Sequence, residues 1–352
     1  MNVLLIPLLL LAAQDRPGEL SQKAQDLAQA QRFDEAERLW REAIALQPDY
    51  FPALFNLGYM KTLQGKYAES IPLLEKAAAS NPRDFNSRYL LGQAFSKLGL
   101  TDDALRSWRA ALSIQPGNIR LMQVMVPEYE KGRYFSDAVA LARRALSLKQ
   151  DDEKIYMLAI HACQSARDFT TGLEIARQAV QRFPQSARAN FEYGFYLQLT
   201  GNAADARAWL EKAMAADPRY EEPFFFLGDL LLSEGQDEQA ISLLRKAIEN
   251  RSDYLDARMS LARALMHLGK WQEAISELNE AATLAPADPQ PHLLLSRIYF
   301  RRGDEQRAVL EKDTAARLRR EHPDLLEAPQ SIPFPNAQRR APLPSAMNTV
   351  RR

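Results

Sequence analysis

The chain has 352 residues and is formally neutral, with 45 basic and 45 acidic side chains, so no overall field draws it to nucleic acid or to an anionic lipid surface. Glycine is sparse, and Ala, Leu, Gln, Glu and Arg dominate, the usage of a helical protein because these side chains lose little freedom in a helix. The single cysteine, Cys163, excludes an intramolecular disulfide.

The N-terminus opens on an uncharged apolar run from Val3 to Ala13. A membrane-spanning helix needs about 20 such residues, so the run is too short to cross a bilayer. It fits the hydrophobic core of a secretory signal, residues 1–13, with Ala12 and Ala13 as the small residues before a cleavage point near Gln14. No Lys or Arg precedes the run, and no cysteine follows it to carry a lipid. The expected location is therefore periplasmic or secreted in a bacterium. The alternative is an uncleaved apolar helix packed on the neighbouring helices, with the protein cytoplasmic. No later segment is apolar enough to span a membrane.

From Pro17 to His322 the chain repeats every 34 residues without insertion or deletion. The phrases "FDEAERLWREAIALQPDY", "YAESIPLLEKAAASNPRD" and "TDDALRSWRAALSIQPGN" show the register, and the nine repeats begin at Pro17, Phe51, Phe85, Ile119, Glu153, Ala187, Glu221, Leu255 and Pro289. Repeat position 27 is always alanine, from Ala43 to Ala315, and position 20 is always small, from Ala36 to Ala308. Seven residues are about two helical turns, so the two columns share one helix face. Nothing larger than a methyl group fits there if a neighbouring helix approaches closely. Position 8 is small in a second helix, as at Ala24, Gly58, Gly92, Gly194 and Gly228. Large groups hold position 24, among them Trp40, Leu74, Trp108 and Leu210. Small columns facing large ones predict interdigitated helix packing.

The punctuation agrees with two helices per repeat. Gly65, Gly99, Gly201, Gly235, Gly269 and Gly303 fall where a left-handed residue must end the first helix. Pro48, Pro82, Pro116, Pro184, Pro218 and Pro286 follow the second helix. Asp84, Asn118, Asp152, Ser186 and Asp288 stand as N-caps of the next first helix. Glu35, Glu69, Asp103, Asp137, Asp205 and Glu273 enter the first turn of the second helix, at the positive end of its dipole. Repeat four departs from the pattern, with Val126 at the glycine position, Pro127 in mid-helix and Gln150 at the closing proline. A proline there removes the donor for the carbonyl of Gln123 and should kink the helix, either as a flex point in the array or as a local irregularity that the neighbouring helices absorb.

Two segments carry the pattern of a known family well: "LFNLGYMKTLQGKY" in repeat two and "FFFLGDLLLSEGQDEQAISLLRKAI" in repeat seven. They resemble the tetratricopeptide repeat, whose consensus runs W-x2-L-G-x2-Y, then A-x3-F, then P. The resemblance implies an all-α fold, a right-handed superhelical α-solenoid of nine helix-turn-helix repeats over residues 14–322, with the first helix of each hairpin lining a concave groove. In this family positions 2, 5, 9, 12 and 13 of that helix face the groove. Here those columns hold Phe55, Tyr59, Tyr89, Met157, Phe191, Phe195, Phe225, Met259, Met266, Leu293 and Phe300, with Arg188, Gln198 and Asp229 as a polar rim. The expectation is an apolar, partly aromatic track for an extended peptide or amphipathic helix, densest around Phe191, Phe195 and Phe225. The rival reading is that position 5 packs between adjacent first helices. Family members that grip the carboxylate tails of chaperones use Lys and Asn at fixed groove positions. The corresponding places hold Phe55, Tyr59, Asn86 and Leu90, so that partner class is not expected.

The ends of the array read as caps. Lys23 and Gln31 in repeat one, and Lys312 and Arg320 in repeat nine, are polar where other repeats are apolar, glycine or proline. Residues 323–352 lose the period, are rich in Pro and Arg, and are expected to be disordered. No catalytic constellation stands out. The four histidines, His161, His267, His292 and His322, are scattered, and no Walker loop, HExxH or GxSxG segment occurs. His161 and Cys163 lie two apart on a helix and face different sides. Cys163 holds position 11, a leucine column in Leu27, Leu197, Leu231 and Leu265. The expected function is therefore an exported scaffold or adaptor that binds a protein or peptide. It is not expected to be an enzyme, and no metal, small-molecule cofactor or nucleic acid is implied. Two alternatives stay open: a self-assembling structural component of an envelope complex, or a non-catalytic helper subunit of an enzyme on another chain.

Overall fold

Each 34-residue period folds as a helical hairpin. The structure, a computed structural model, describes the backbone of residues 6–323 and the side chains from Arg16 onward. In chain order the helices are α1 (Ile6–Gln29), α2 (Phe33–Leu46), α3 (Phe51–Leu63), α4 (Tyr67–Ser80), α5 (Phe85–Lys97), α6 (Thr101–Ile114), α7 (Ile119–Lys131), α8 (Phe135–Leu148) and α9 (Glu153–Ala166). They continue as α10 (Phe169–Arg182), α11 (Ala187–Leu199), α12 (Ala203–Ala216), α13 (Glu221–Ser233), α14 (Asp237–Asn250), α15 (Leu255–His267), α16 (Trp271–Leu284), α17 (Gln290–Arg301) and α18 (Glu305–Glu321). No strand occurs among the described residues. The Pro/Arg-rich segment from residue 324 and the start of the apolar N-terminal run lie outside the described residues.

The chain divides into two compact units, Met1–Ala166 with α1–α9 and Arg167–Arg352 with α10–α18. Within each, consecutive helices pack together and several first helices also touch the next first helix, as in α1 with α3, α3 with α5, α11 with α13, and α13 with α15. Each unit is therefore an all-α solenoid of helical repeats. In repeat four the structure agrees with a local irregularity absorbed within the helix. Helix α7 runs without interruption through Pro127, whose ring is exposed, and the division falls at Ala166 and Arg167 in repeat five.

The small columns are the contact surfaces. The position 27 alanines, Ala43 to Ala315, are all fully buried, and the position 20 residues are all buried. The position 8 glycines are notches for the large position 24 groups. A Cβ on Gly58 would stand 2.8 Å from Leu74 Cγ, and one on Gly228 would stand 2.9 Å from Leu244 Cγ. At Gly92 it would enter the Trp108 indole, whose N–H donates to the Tyr89 carbonyl at 3.0 Å. The hairpin turn demands a left-handed residue at position 15 of every repeat. Six are glycines, and Gln31, Arg133 and Arg167 adopt φ of 61°, 62° and 57° in the remaining three. A side chain there costs about 1–2 kcal/mol, so the turn geometry is imposed by the packed helices on either side. The N-caps sit where the pattern requires: Asp84, Asn118 and Ser186 accept from the amides of Ser87, Leu121 and Ala189.

One member of the position 11 column is a surprise. Lys61 occupies it in repeat two, is 3% exposed, and places Nζ 2.9 Å from Glu37 and 2.8 Å from Glu69. Burial opposes its charge, yet the bonds to the two carboxylates outweigh that and hold its pKa above the ordinary value. At Glu37, burial likewise raises and the bonds to Lys61 and Arg41 lower, with a net shift downward; at Glu69 the bond to Lys61 leads the lowering. Repeat four is tied by a buried acid. Glu128 accepts from Ser96 at 2.8 Å and from Thr101 at 2.7 Å, and so links α7 to α5 and α6.

Two measurements test this packing. Gly92→Ala should destabilise by about 1–3 kcal/mol, because the methyl must displace a buried indole, while Gly117→Ala, which meets nothing within 4 Å, should stay within about 0.5 kcal/mol of the parent. Equal melting curves for the two variants would contradict the notch. Carboxyls held below their unfolded pKa stabilise the fold above that value and lose the contribution as pH falls through the lower, folded value. The parent should therefore lose stability as pH drops below about 4.5, more steeply than Lys61→Met, which lacks the cation. Parallel pH–stability curves would refute the role of Lys61.

Candidate binding surfaces

In the N-terminal unit, α3 carries an i, i+4 series of large apolar groups. The rings of Phe51 and Phe55 stack at 5.7 Å, and those of Phe55 and Tyr59 at 6.3 Å with an interplanar angle of 6°. Leu63 continues the series one turn on. On α5, which packs beside α3, Phe85 and Tyr89 stack at 5.9 Å. Phe55 and Tyr89 are half-buried against Leu74, Leu90 and Leu91, whereas Tyr59 is 43% and Leu63 69% exposed. An apolar stripe with its far end in water is thus built from the Phe55, Tyr59 and Tyr89 that the groove columns singled out.

The C-terminal unit treats the same columns differently. Phe191 and Phe195 stack at 6.1 Å as their spacing requires, but both are fully buried, and Phe225 is 2% exposed. The expectation that these three rings line an open wall is corrected. Phe191 is covered by Tyr220 at 5.4 Å and Phe226 at 5.3 Å, Phe195 lies edge-on to Phe226 at 5.2 Å, and Phe225 packs on Tyr254 at 4.9 Å. Phe225 does not stand beside Phe191 in a row; Phe226 fills that space. Met157 and Met259 are buried as well. Asp229 is half-buried and accepts from Ser260 Oγ at 2.9 Å. Gln198 is half-buried with a buried, unpartnered Oε1, and Arg188 is exposed. Met266 is half-buried, and Phe300, at 72% exposure, is the open end of the unit's apolar lining.

Repeat position 34 separates Phe191 and Phe225 from Phe55 and Tyr89. Where it holds tyrosine, as at Tyr220 and Tyr254, that ring covers position 5 of the preceding first helix. Where it holds Asp84 or Asn118, the short side chain caps the next helix and leaves Phe55 and Tyr89 open. The repeat pattern marks Asp84, Asn118, Asp152, Ser186 and Asp288 as caps and gives no signal for Tyr220, Phe226 and Tyr254 as lids. The covering layer is polar at one edge: Tyr254 donates to Glu222 at 2.7 Å, and Arg251 ion-pairs with Glu221 at 3.2 Å and stacks on the Tyr254 ring. Burial, followed by the charges of Glu192 and Glu222, pushes the Tyr220 hydroxyl well above its ordinary pKa. Burial and Glu222 do the same at Tyr254.

Comparison with known families agrees with this architecture. The family model described as tetratricopeptide repeat matches residues 21–62, 63–119 and 156–221. The chain belongs to the tetratricopeptide repeat family. A second model, described as anaphase-promoting complex, cyclosome, subunit 3, matches residues 200–281 of this repeat protein. Among solved structures, PilW, described as a widely conserved type IV pilus biogenesis factor, is 23% identical. It covers 58% of this chain and 94% of its own, with a TM-score of 0.51, and shows the shared fold. YrrB, described as a TPR protein with an unusual peptide-binding site, is 20% identical over 53% of this chain and 96% of its own, with a TM-score of 0.44. MamA from Desulfovibrio magneticus RS-1 is 18% identical over 48% and 96%, also with a TM-score of 0.44. No curated protein sequence matches. Membership of the family supports a protein-interaction scaffold in general. Among the described residues, no helix is long and apolar enough to cross a membrane.

Phe195→Ala separates lining from core. With the ring fully buried, the variant should lose about 3–5 kcal/mol of stability, read as a large drop in Tm. A variant that melts with the parent would return Phe195 to the groove.

Proposed function

We propose that this tetratricopeptide repeat protein is an exported scaffold that holds an extended peptide or amphipathic helix of a partner protein on the track formed by α3 and α5. The exposure of Tyr59 and Leu63 at the open end of the stacked Phe51–Phe55–Tyr59 series carries the reading. Exposed aromatic and aliphatic groups on rigid helices are effective anchors, because little conformational freedom is lost when a partner covers them. Phe55 and Tyr89 form the floor. In the C-terminal unit, Arg188, Gln198 and Asp229 offer polar contacts over a core that the buried phenylalanines keep rigid.

Export rests on the apolar run from Val3 to Ala13. Processing near Gln14 would leave in place Leu20, Ala24, Leu27 and Ala28, which pack in the first hydrophobic cluster with Trp40 and Leu57. The mature protein purified from its host should begin near Gln14 by N-terminal sequencing; an intact Met1 in the cytosol would overturn export.

Binding is tested by affinity capture from envelope extract with the parent and with a Tyr59→Ala/Leu63→Ala variant, followed by titration of the captured protein against both. The variant should melt with the parent and bind about 10–100-fold more weakly, or 1.4–2.8 kcal/mol. Unchanged affinity would remove the α3 track from the binding surface.

A further inference from the structure

Helices α15, α17 and α18 enclose an open cavity of about 690 Å³ at the last two repeats, within the range of ligand-sized sites. Its floor is apolar. Met266 and Leu294 lie beneath Phe300 and Val309, which are 72% and 56% exposed. Its rim is basic. Arg263, Arg297, Arg301 and Lys312 all line the cavity, against a single lining carboxylate, Glu305.

Several arginines elsewhere in this unit are matched to acids: Arg245 with Glu273, Arg258 with Glu277, Arg207 with Glu234 and Arg177 with Glu174. The four rim cations have no ion pair or hydrogen bond among the described residues; Arg301 only stands 5.9 Å from the centre of the Trp271 ring. His267 is turned away to Asp237 at 2.9 Å. A chain with no net charge thus concentrates unmatched positive charge around an exposed phenylalanine. Three of the four, Arg297, Arg301 and Lys312, come from the last described hairpin, α17 and α18.

We propose that this cavity is a second docking site, separate from the α3 track, for an acidic segment of another protein that carries bulky apolar side chains. Phe300, Met266 and Val309 take the apolar groups, and the guanidinium forks of Arg263, Arg297 and Arg301 take flanking carboxylates in paired hydrogen bonds. The apolar floor selects a peptide over a phosphate backbone, and the rim selects acid over base. Attraction of this kind weakens as salt rises, because the rim is open to solvent.

The test uses the full chain and labelled synthetic peptides of equal length, read by fluorescence anisotropy. One alternates Glu with Leu and Phe, one has Lys for each Glu, and one has Ser for each Leu and Phe. The acidic apolar peptide should bind at least about tenfold more tightly than either control, and should weaken with added salt. Arg297→Ala/Arg301→Ala and Phe300→Ala should each weaken it about tenfold while melting with the parent, and Tyr59→Ala/Leu63→Ala should leave it unchanged. Loss only in the Tyr59 variant would assign the peptide to the α3 track and overturn the second site. Equal binding of the Lys peptide, or tighter binding of a single-stranded oligonucleotide, overturns the proposed chemistry. Two other occupants are read in the same samples. Self-association that Arg297→Glu removes would give the cavity to a second copy. Peptide binding that tightens about tenfold in Asp324→Asn/Glu327→Gln would give it to the chain's own following segment. Either result overturns the proposal.

Discussion

The close approach of helices at three small columns is the constraint on which everything else rests. Fully buried alanines at position 27, small groups at position 20 and glycine notches at position 8 bring each hairpin to near-contact distance. That distance is what lets a buried Trp108 or Leu244 fill the groove opposite. It also sets the hairpin turn so firmly that Gln31, Arg133 and Arg167 take up the left-handed conformation that glycine adopts without strain. Lys61 makes the same point from the polar side: the packing is kept, and the fold supplies Glu37 and Glu69 rather than letting the column open.

The same close approach distributes surface and core among the first helices. Where one first helix meets the next, the side chains at the start of the neighbour set whether a ring is wall or filling. Tyr220 and Phe226 close over Phe191 and Phe195, and Tyr254 closes over Phe225. Asp84 and Asn118 leave Phe55 and Tyr89 partly open. Exposed apolar groups therefore lie where such lids are missing: at Tyr59 and Leu63 of α3, and at Phe300 and Val309 of α17 and α18. An aromatic column in a helical repeat is evidence of packing as much as of recognition, and burial separates the two.

The charge pattern follows a similar logic. Within the C-terminal unit Arg207 and Arg245 meet acids of the next hairpin, and Arg177, Arg251 and Arg258 meet acids of their own. In the last described hairpin Arg297, Arg301 and Lys312 stand around Phe300 with no ion pair among the described residues. A sum over the sequence hides this, because equal totals say nothing about where opposite charges find one another.

By itself the sequence determined the period, the helix boundaries, the small columns, the turn glycines and the caps. Each of these is a local demand on one residue type: a methyl group at a contact, a left-handed turn, an acceptor at a helix start. The family resemblance followed from the same residues. Only the tertiary structure decided which of the groove-column residues reach water, that Pro127 passes without breaking α7, and that the chain divides within repeat five. Those outcomes depend on pairs of side chains brought together across repeats, such as Phe191 with Tyr220 and Phe226, or Lys61 with Glu37. Position in a repeat places a residue on a helix face, but the residue opposite determines whether that face is open.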